Sequence, residues 1–225
     1  MTTGSRAPQV DGFSKISFWR EKNIGIISLL SPGTFNLSTI SELIKSLSIA
    51  AVDDNVKSVL ITGSNYSFSK GLDIPTGNIY ADLRNYYESI KGLILFMISL
   101  DKPIFASING SAINNGISFA LLADEVFVSD NTKLILDKNE PLIFLYSITA
   151  PKKLKLEGQK ISINGINVNK DEMMKESLEI SETIAQIPFQ RERRYRFNGF
   201  ESILIQEELD FLDFYLWCEG KKDKK

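Results

Sequence analysis

The feature that most constrains this chain is the alternation of strand-like and helix-like stretches in its first half. A nearly continuous apolar run at 56–62 (VKSVLIT) is typical of a strand buried on both faces of a parallel sheet. A long helical pattern follows at 78–100, and then come a strand at 104–108, a short apolar helix at 116–123 and a strand at 125–129. This order predicts an α/β fold with parallel strand pairing.

The beginning of the chain predicts a hairpin and then a helix. Two short stretches rich in β-branched and aromatic residues, 16–20 and 24–30, are separated by a polar turn. The stretch 39–51 places its apolar residues on one helical face. Thr39 and Glu42 have the spacing of a capping box, which predicts that this helix begins at Thr39.

The last third of the chain differs in character from the first two. It predicts a helix at 171–187 and an amphipathic helix at 200–217. On the first of these helices, one stripe consists of Met174, Leu178, Ser181 and Ala185. We therefore predict a core formed by 1–150 and a mainly helical C-terminal segment, 151–225, packed on that core or on a neighbouring subunit.

Composition excludes several kinds of chemistry. The 225-residue chain has no histidine and one cysteine, Cys218. Ser-His-Asp and Cys-His catalysis, histidine metal sites, disulfides within the chain and cysteine-rich zinc sites are therefore excluded, and we expect no metal. Its 26 basic and 28 acidic residues nearly balance, which gives no electrostatic signature of nucleic-acid binding.

Neither a membrane anchor nor a secretion signal is expected. The longest apolar stretch, 92–100, is too short to cross a bilayer. The first twelve residues (MTTGSRAPQVDG) lack the apolar core of a signal peptide. These observations predict a cytoplasmic protein without a membrane partner.

Two glycine-containing loops, 66–74 and 109–116, come directly after predicted buried strands. The second leads straight into a helix, whose first backbone N–H groups have no acceptor within the helix. Two such loops that face each other can hold an oxyanion between two backbone N–H donors. The pair is therefore the candidate functional site.

The segments around these loops resemble the crotonase superfamily, which includes enoyl-CoA hydratases and isomerases. The resemblance lies in LITG followed by FSKGLD (60–63 and 68–73), and in KPIFASINGSA (102–112). It continues without a gap through 129 and covers about 15–135. The family pairs a strand ending in Thr-Gly with Phe-x-x-Gly-x-Asp, and then carries a Lys-Pro strand that leads into a glycine-rich loop.

The resemblance implies a crotonase-like spiral of ββα repeats, a homotrimer or hexamer, and a role in fatty acid metabolism. It implies an acyl-CoA substrate, with coenzyme A as part of the substrate and no separate bound cofactor. The thioester oxygen would lie between the N–H groups that match Leu72 and Asn115. The neighbouring positions expected to contact substrate are Ser69, Lys70, Gly71, Asp73, Asn114 and Gly116. For Asp73 we favour loop bracing or helix capping over catalysis, and Lys70 suits either coenzyme A phosphates or solvent.

The chain departs from the family at the two glutamates with which hydratases activate water. Ser118 stands at the first position, and Lys138 or a neighbour stands at the second. Asp137 or Glu140 could supply a carboxylate base instead. The sequence thus leaves two hypotheses open. One is an enzyme that isomerises, decarboxylates or hydrolyses a CoA thioester, and the other is a catalytically silent paralogue that binds acyl-CoA or supports another subunit. A serine peptidase is excluded because no histidine can activate Ser118.

Overall fold

The structure, a computed structural model, describes residues 12–74, 79–136, 154–157, 160–186 and 200–222. Thirteen strands lie in these ranges: β1 (Ile16–Glu21), β2 (Ile24–Leu29), β3 (Thr34–Phe35), β4 (Ser58–Thr62), β5 (Ser67–Ser69), β6 (Gly71–Leu72), β7 (Ile104–Ser107), β8 (Ser111–Ile113), β9 (Glu125–Val128), β10 (Lys133–Ile135), β11 (Leu154–Glu157), β12 (Lys160–Ile163) and β13 (Ile166–Asn167). The same ranges contain five helices: α1 (Leu37–Val52), α2 (Ile79–Ser99), α3 (Asn115–Leu121), α4 (Met173–Ala185) and α5 (Phe200–Lys222).

The main sheet has six strands in the order β1-β2-β4-β7-β9-β13. The predicted hairpin is confirmed, because β1 and β2 pair antiparallel, and every other neighbouring pair in this sheet is parallel. A smaller parallel sheet, β10-β8-β5, and the parallel pair β3-β6 carry the segments that follow the main strands. The predicted α/β fold with parallel pairing is therefore confirmed.

The central strands bury both faces, as their continuous apolar sequences predict. Val59 and Ile61 of β4 face the larger core beneath α1, α2 and α3, whereas Leu60 faces a second core on the opposite side of the sheet. Alternate residues of a strand point to opposite faces, so a strand buried on both sides needs apolar residues at every position. Packing on both faces holds the central strands in place, and with them the strand ends at which the two candidate loops begin.

The C-terminal part adds to the main sheet as well as covering it. Strand β13 pairs parallel with β9, where Ile166 lies opposite Phe127. Helix α4 packs on β2, β4 and β7, and its Met173 joins the second core. Helix α5 packs on α2, where the Tyr87 hydroxyl donates to the Leu204 carbonyl at 2.9 Å. The boundary predicted at residue 150 stays a prediction.

Helix α1 begins two residues before the capping box predicts. Asn36 is the N-cap, and its Oδ1 accepts from the Thr39 backbone N–H at 2.9 Å. Glu42 does not reach back to the cap, because its carboxylate accepts backbone N–H groups of Ser14 and Lys15. The predicted start at Thr39 is wrong, since asparagine caps a helix at least as well as threonine and stands in the right place.

The helices of the described ranges include none that combines the length and the apolar character required of a membrane span.

Candidate functional site

The two candidate loops are tied together where their strands end. The Gly63 N–H donates to Asn109 Oδ1 at 3.2 Å, and Asn109 Nδ2 donates back to the Gly63 carbonyl at 3.0 Å. The Thr62 hydroxyl donates to the Ser107 carbonyl at 3.2 Å. Because β4 and β7 are parallel neighbours, these bonds hold the starts of both loops at the same edge of the sheet.

Beyond that edge, the loops approach each other too closely for a side chain. A β-carbon on Gly110 would lie 1.8 Å from the Tyr66 carbonyl oxygen, and one on Gly116 would lie 2.8 Å from Ser69 Cβ. The Ser111 N–H also donates to the Tyr66 carbonyl at 3.2 Å. Glycine at these two positions is therefore required for the loops to meet.

Ser69 and Gly71 shape the turn of the first loop. The buried Ser69 hydroxyl donates to the Gly33 carbonyl at 2.6 Å and accepts from the Gly71 N–H at 3.1 Å. Gly71 has φ +88°, which side chains disfavour. The Lys70 N–H is bound to the Gly33 carbonyl at 3.2 Å, whereas its side chain is exposed. The Ser69 hydroxyl is thus occupied within the protein, and Lys70 reaches outward.

Leu72 lies in β6 with its amide directed away from β3. The next amide along the chain, that of Asp73, donates to the Phe35 carbonyl at 3.1 Å. Successive N–H groups of an extended strand point to opposite edges, so the Leu72 N–H points to the other side. The Asp73 carboxylate lies 3.4 Å from donors on Thr34 and Asn36, which agrees with the bracing role favoured for it.

The second loop enters α3 through Asn114, whose backbone has φ 43° and ψ −114°. Its N–H donates to the Ile135 carbonyl at 2.9 Å, and its carbonyl accepts from Ile117 and Ser118 at 2.9 and 3.2 Å. All seven residues of α3 are buried. Asn115 is the first of them, a position at which the helix itself supplies no acceptor for the backbone N–H.

Helix α3 packs against β6, so the structure brings the predicted residues of the two loops together. Aromatic rings fill the space beneath them: the Phe119 ring lies 4.7 Å from the Phe35 ring and 6.5 Å from the Phe68 ring, between centroids. The Tyr86 hydroxyl donates to the Phe35 carbonyl. Sequence reasoning missed Phe35 and Gly33 as supports of the first loop, although the break at Ser31-Pro32-Gly33 was a signal that the chain turns there.

Ser118 occupies a buried position one helical turn after Asn115. Its Oγ has no hydrogen-bond partner in the part of the chain that the structure describes. A serine hydroxyl is far too weak an acid or base to replace a glutamate without an activating group. The candidate bases Asp137 and Glu140, and Lys138 at the second glutamate position, lie outside the described residues.

Lys102, the lysine of the Lys-Pro segment, binds the C-terminal end of helix α1. Its Nζ donates to the Ala50 and Asp53 carbonyls at 2.6 and 2.8 Å, at the C-terminus of α1. Burial lowers the pKa of this ammonium group, while the nearby carboxylates of Asp53 and Asp54 oppose that shift. A positive charge there complements the carbonyl end of the helix.

Of two cavities lined by described residues, one borders the first loop. It has a volume of about 170 Å³ and is lined by polar groups that include Lys15, Thr34, Asn36 and Asp73. The larger, of about 350 Å³, lies between α4 and the β1–β2 turn, away from both loops. Among the residues described, no three acidic or cysteine side chains form a metal-binding group.

Comparisons with known proteins match the whole region that carries the two loops. The family described as "Enoyl-CoA hydratase/isomerase" matches residues 20–147. Human "Enoyl-CoA delta isomerase 2" is 29% identical over 126 residues, which are 53% of this chain and 30% of that protein. Rat mitochondrial "Enoyl-CoA delta isomerase 1" is 27% identical over 162 residues, which are 67% of this chain and 55% of that protein. The chain thus spans less than two thirds of the length of these curated relatives.

Similarity of structure extends further along the chain than similarity of sequence. The solved structure of an enoyl-CoA hydratase from Mycobacterium avium subsp. paratuberculosis K-10 superposes with a TM-score of 0.72, covering 92% of this chain and 95% of that one. The sequence identity is 17%, so this likeness establishes the shared fold. The crotonase-like fold predicted from the two motifs is confirmed.

Proposed function

Because the chain belongs to the enoyl-CoA hydratase/isomerase family, we propose that it binds an acyl-CoA thioester between the backbone N–H groups of Leu72 and Asn115. The observation that supports this proposal is the interlocking of the two loops at Gly110 and Gly116. It brings two separate backbone segments to one place without requiring any particular side chain. The hole can therefore persist in a chain whose side chains have diverged from those of hydratases.

The chemistry that such a pair of amides supports is the formation of an enolate-like anion. Removing a proton or a carboxylate from the carbon next to a thioester leaves negative charge on the thioester oxygen. Fixed N–H donors stabilise that charge as it develops, and they need no reorganisation when the reaction occurs. Isomerisation and decarboxylation of an acyl-CoA pass through this anion, and hydrolysis passes through a related oxyanion.

Proton transfer would require a group that Ser118 cannot supply. In this proposal Asp137 or Glu140 acts as the base, because either carboxylate lies within a few residues of the second glutamate position of hydratases. Hydration itself is not proposed, since it uses a pair of carboxylates to place and activate water. The proposed enzyme is therefore of the isomerase, decarboxylase or thioesterase kind.

The alternative is a catalytically silent paralogue that binds acyl-CoA or supports another subunit. The buried Ser118 hydroxyl favours it, because serine replaces the first glutamate and has no hydrogen-bond partner among the described residues. In either case we propose a homotrimer or hexamer in the cytoplasm, with coenzyme A as part of the ligand and no separate cofactor.

A titration with crotonyl-CoA and a small panel of other acyl-CoAs tests both proposals. Thermal denaturation reports binding, and loss of absorbance at the conjugated thioester band reports turnover. Turnover that Asp137→Asn or Glu140→Gln abolishes supports the enzyme, with Glu125→Gln, an exposed glutamate at the start of β9, as the matched control. A thermal shift without turnover supports the silent paralogue. No thermal shift with any thioester contradicts both the enzyme and the acyl-CoA-binding paralogue.

A further inference from the structure

The groove between α4 and the β1–β2 turn combines an apolar floor with a charged rim. Its volume is about 350 Å³, which falls within the range of roughly 300–1,000 Å³ that is typical of small-molecule sites. Ile24, Met174 and Leu178 supply the apolar surface, and Leu178 packs against the second core. These residues belong to neither loop of the proposed thioester site, so the groove is a separate feature of the molecule.

Carboxylates outnumber ammonium groups on the rim of the groove, which is formed by Glu21, Lys22, Lys175, Glu179 and Glu182. The Lys175 ammonium is held at 2.9 Å by Glu172, which does not line the groove. Among the residues that the structure describes, Glu21 and Glu179 form no ion pair. The rim therefore offers carboxylates to a further cation.

One ammonium group already lies on this rim, and the protein itself supplies it. Lys22 Nζ donates to Glu182 Oε2 at 2.5 Å. The hydrogen bond and the charge of Glu182 raise the pKa of Lys22, and the charges of Glu179 and Glu21 act in the same direction. All three carboxylates thus favour a positive charge at this place. Because the Lys22 side chain is 65% exposed, another cation can replace its ammonium on Glu182 without disturbing the turn.

We propose that this groove binds a small organic cation, an ammonium group carried on an unbranched apolar chain. The ammonium group binds Glu179 and Glu182, which lie side by side on the surface of α4 because they are three residues apart. The chain lies over the apolar floor. The excess of carboxylates disfavours an anion, and a metal ion, which needs oxygen ligands all round, gains nothing from the apolar floor.

Methyl NMR of protein labelled at methionine reports directly on the groove. Of the four methionines, Met174 is 37% exposed and lines the groove, whereas Met97 and Met173 are buried in the two cores. The probe is hexylammonium at about pH 7, where an alkylamine is charged. The substitution Met174→Leu identifies the Met174 signal.

Three further probes separate the contribution of charge from that of apolar contact. Hexanol has the same chain without a charge, hexanoate has the opposite charge, and ammonium chloride has the charge without the chain. We expect hexylammonium alone to move the Met174 signal, with a Kd in the millimolar range that suits a ligand of so few atoms, and the Met97 signal to stay in place. No movement, or an equal movement with any of the other three probes, would overturn the proposal.

Two variants test the carboxylates and the competition by Lys22. The double variant Glu179→Gln and Glu182→Gln should weaken hexylammonium binding about fivefold, as expected for two exposed ion pairs, with Glu125→Gln as the matched control. Lys22→Gln should strengthen binding about threefold, because it removes the ammonium group that occupies Glu182. A double variant that binds as tightly as the control, or a Lys22→Gln variant that binds no more tightly than wild type, would contradict the site.

The test uses no thioester, so its result is independent of the proposed acyl-CoA binding. A trilysine peptide provides the last comparison, since a basic protein segment carries the same ammonium groups. If this peptide moves the Met174 signal where hexylammonium does not, the groove takes a protein segment, and its assignment to a small molecule is wrong.

Discussion

A single β-carbon at Gly116 is enough to separate the two loops. That carbon would lie 2.8 Å from Ser69 Cβ and 2.9 Å from the Ser69 carbonyl oxygen, which belongs to the backbone and cannot swing aside. Gly116→Ala should therefore push α3 away from the first loop, weaken acyl-CoA binding about tenfold or more and lower stability by about 1–3 kcal/mol. Isothermal titration and urea denaturation measure the two effects.

Gly92 provides the matched control, since it lies within α2 and a β-carbon there would meet nothing within 4 Å. Gly92→Ala should raise stability by about 1 kcal/mol, because alanine favours the helix, and should leave binding unchanged. If Gly116→Ala binds acyl-CoA as tightly as Gly92→Ala, then close approach of the loops is not what forms the site.

Lys102 gives a second prediction at the scale of a residue. A substitution there should change the stability of the protein but not the candidate functional site. Lys102→Met removes the ammonium group that binds the Ala50 and Asp53 carbonyls. We expect a loss of about 1.5 kcal/mol, at the low end for bonds to a charged group, because burial of the ammonium offsets part of the gain. Urea denaturation measures it, with the exposed Lys57→Met as the control. Equal midpoints for the two variants would contradict the capping role.

At the scale of elements, the spacing of apolar residues predicted where the helices lie. Polar contacts determine where a helix begins and which of its faces is buried. On α4, Met174 of the stripe identified in the sequence is 37% exposed, while Met173 and Ser177 are buried. The Ser177 hydroxyl lies 3.2 Å from that of Ser107 on β7, so a small polar residue faces the sheet. Hydrophobic periodicity cannot identify the buried face of a helix where that face packs through serine side chains.

The contact between α1 and the segment entering β1 predicts a dependence on pH. Burial alone would raise the pKa of Glu42, but N–H donors from Ser14, Lys15 and Ile16 outweigh it and hold that pKa below its usual value. A carboxyl whose pKa is lowered by folding stabilises the protein above its unfolded pKa, and that stabilisation is lost as the pH falls through the folded pKa. The link between these two elements should therefore weaken in acid.

Glu42→Gln tests this link. At pH 7 it should cost about 1–2 kcal/mol, because neutral amide oxygen accepts the same hydrogen bonds more weakly than a carboxylate. The difference from wild type should begin to shrink as the pH falls below about 4, where the carboxyl of the unfolded chain becomes protonated, and should be lost as the pH falls through the lower pKa of the folded state. Urea denaturation at several pH values measures it, beside Glu125→Gln. A difference that stays constant down to pH 3 would argue against a lowered pKa.

For the whole molecule, the sequence predicted which strands are buried on both faces but not how the segments beyond them interlock. The order of the six strands and the meeting of the loops depend on contacts between distant positions, such as the pair formed by Gly63 and Asn109, which are 46 residues apart. No local pattern encodes such a contact. The motifs identified the two loops through their resemblance to a family. The close approach of the loops at Gly110 and Gly116 is the physical reason why glycine stands at these two positions.

A ligand that binds where the two loops meet should raise the stability of the folded protein. A ligand that binds only the native state at a hundred times its Kd stabilises it by about 2.7 kcal/mol. For a chain of this size that corresponds to a rise in Tm of about 5–10 °C. We expect butyryl-CoA to produce this rise, and free coenzyme A at the same concentration to produce less, since it lacks the thioester oxygen. Equal shifts with the two ligands would mean that coenzyme A alone is recognised, and the pair of amides at Leu72 and Asn115 would have no part in binding.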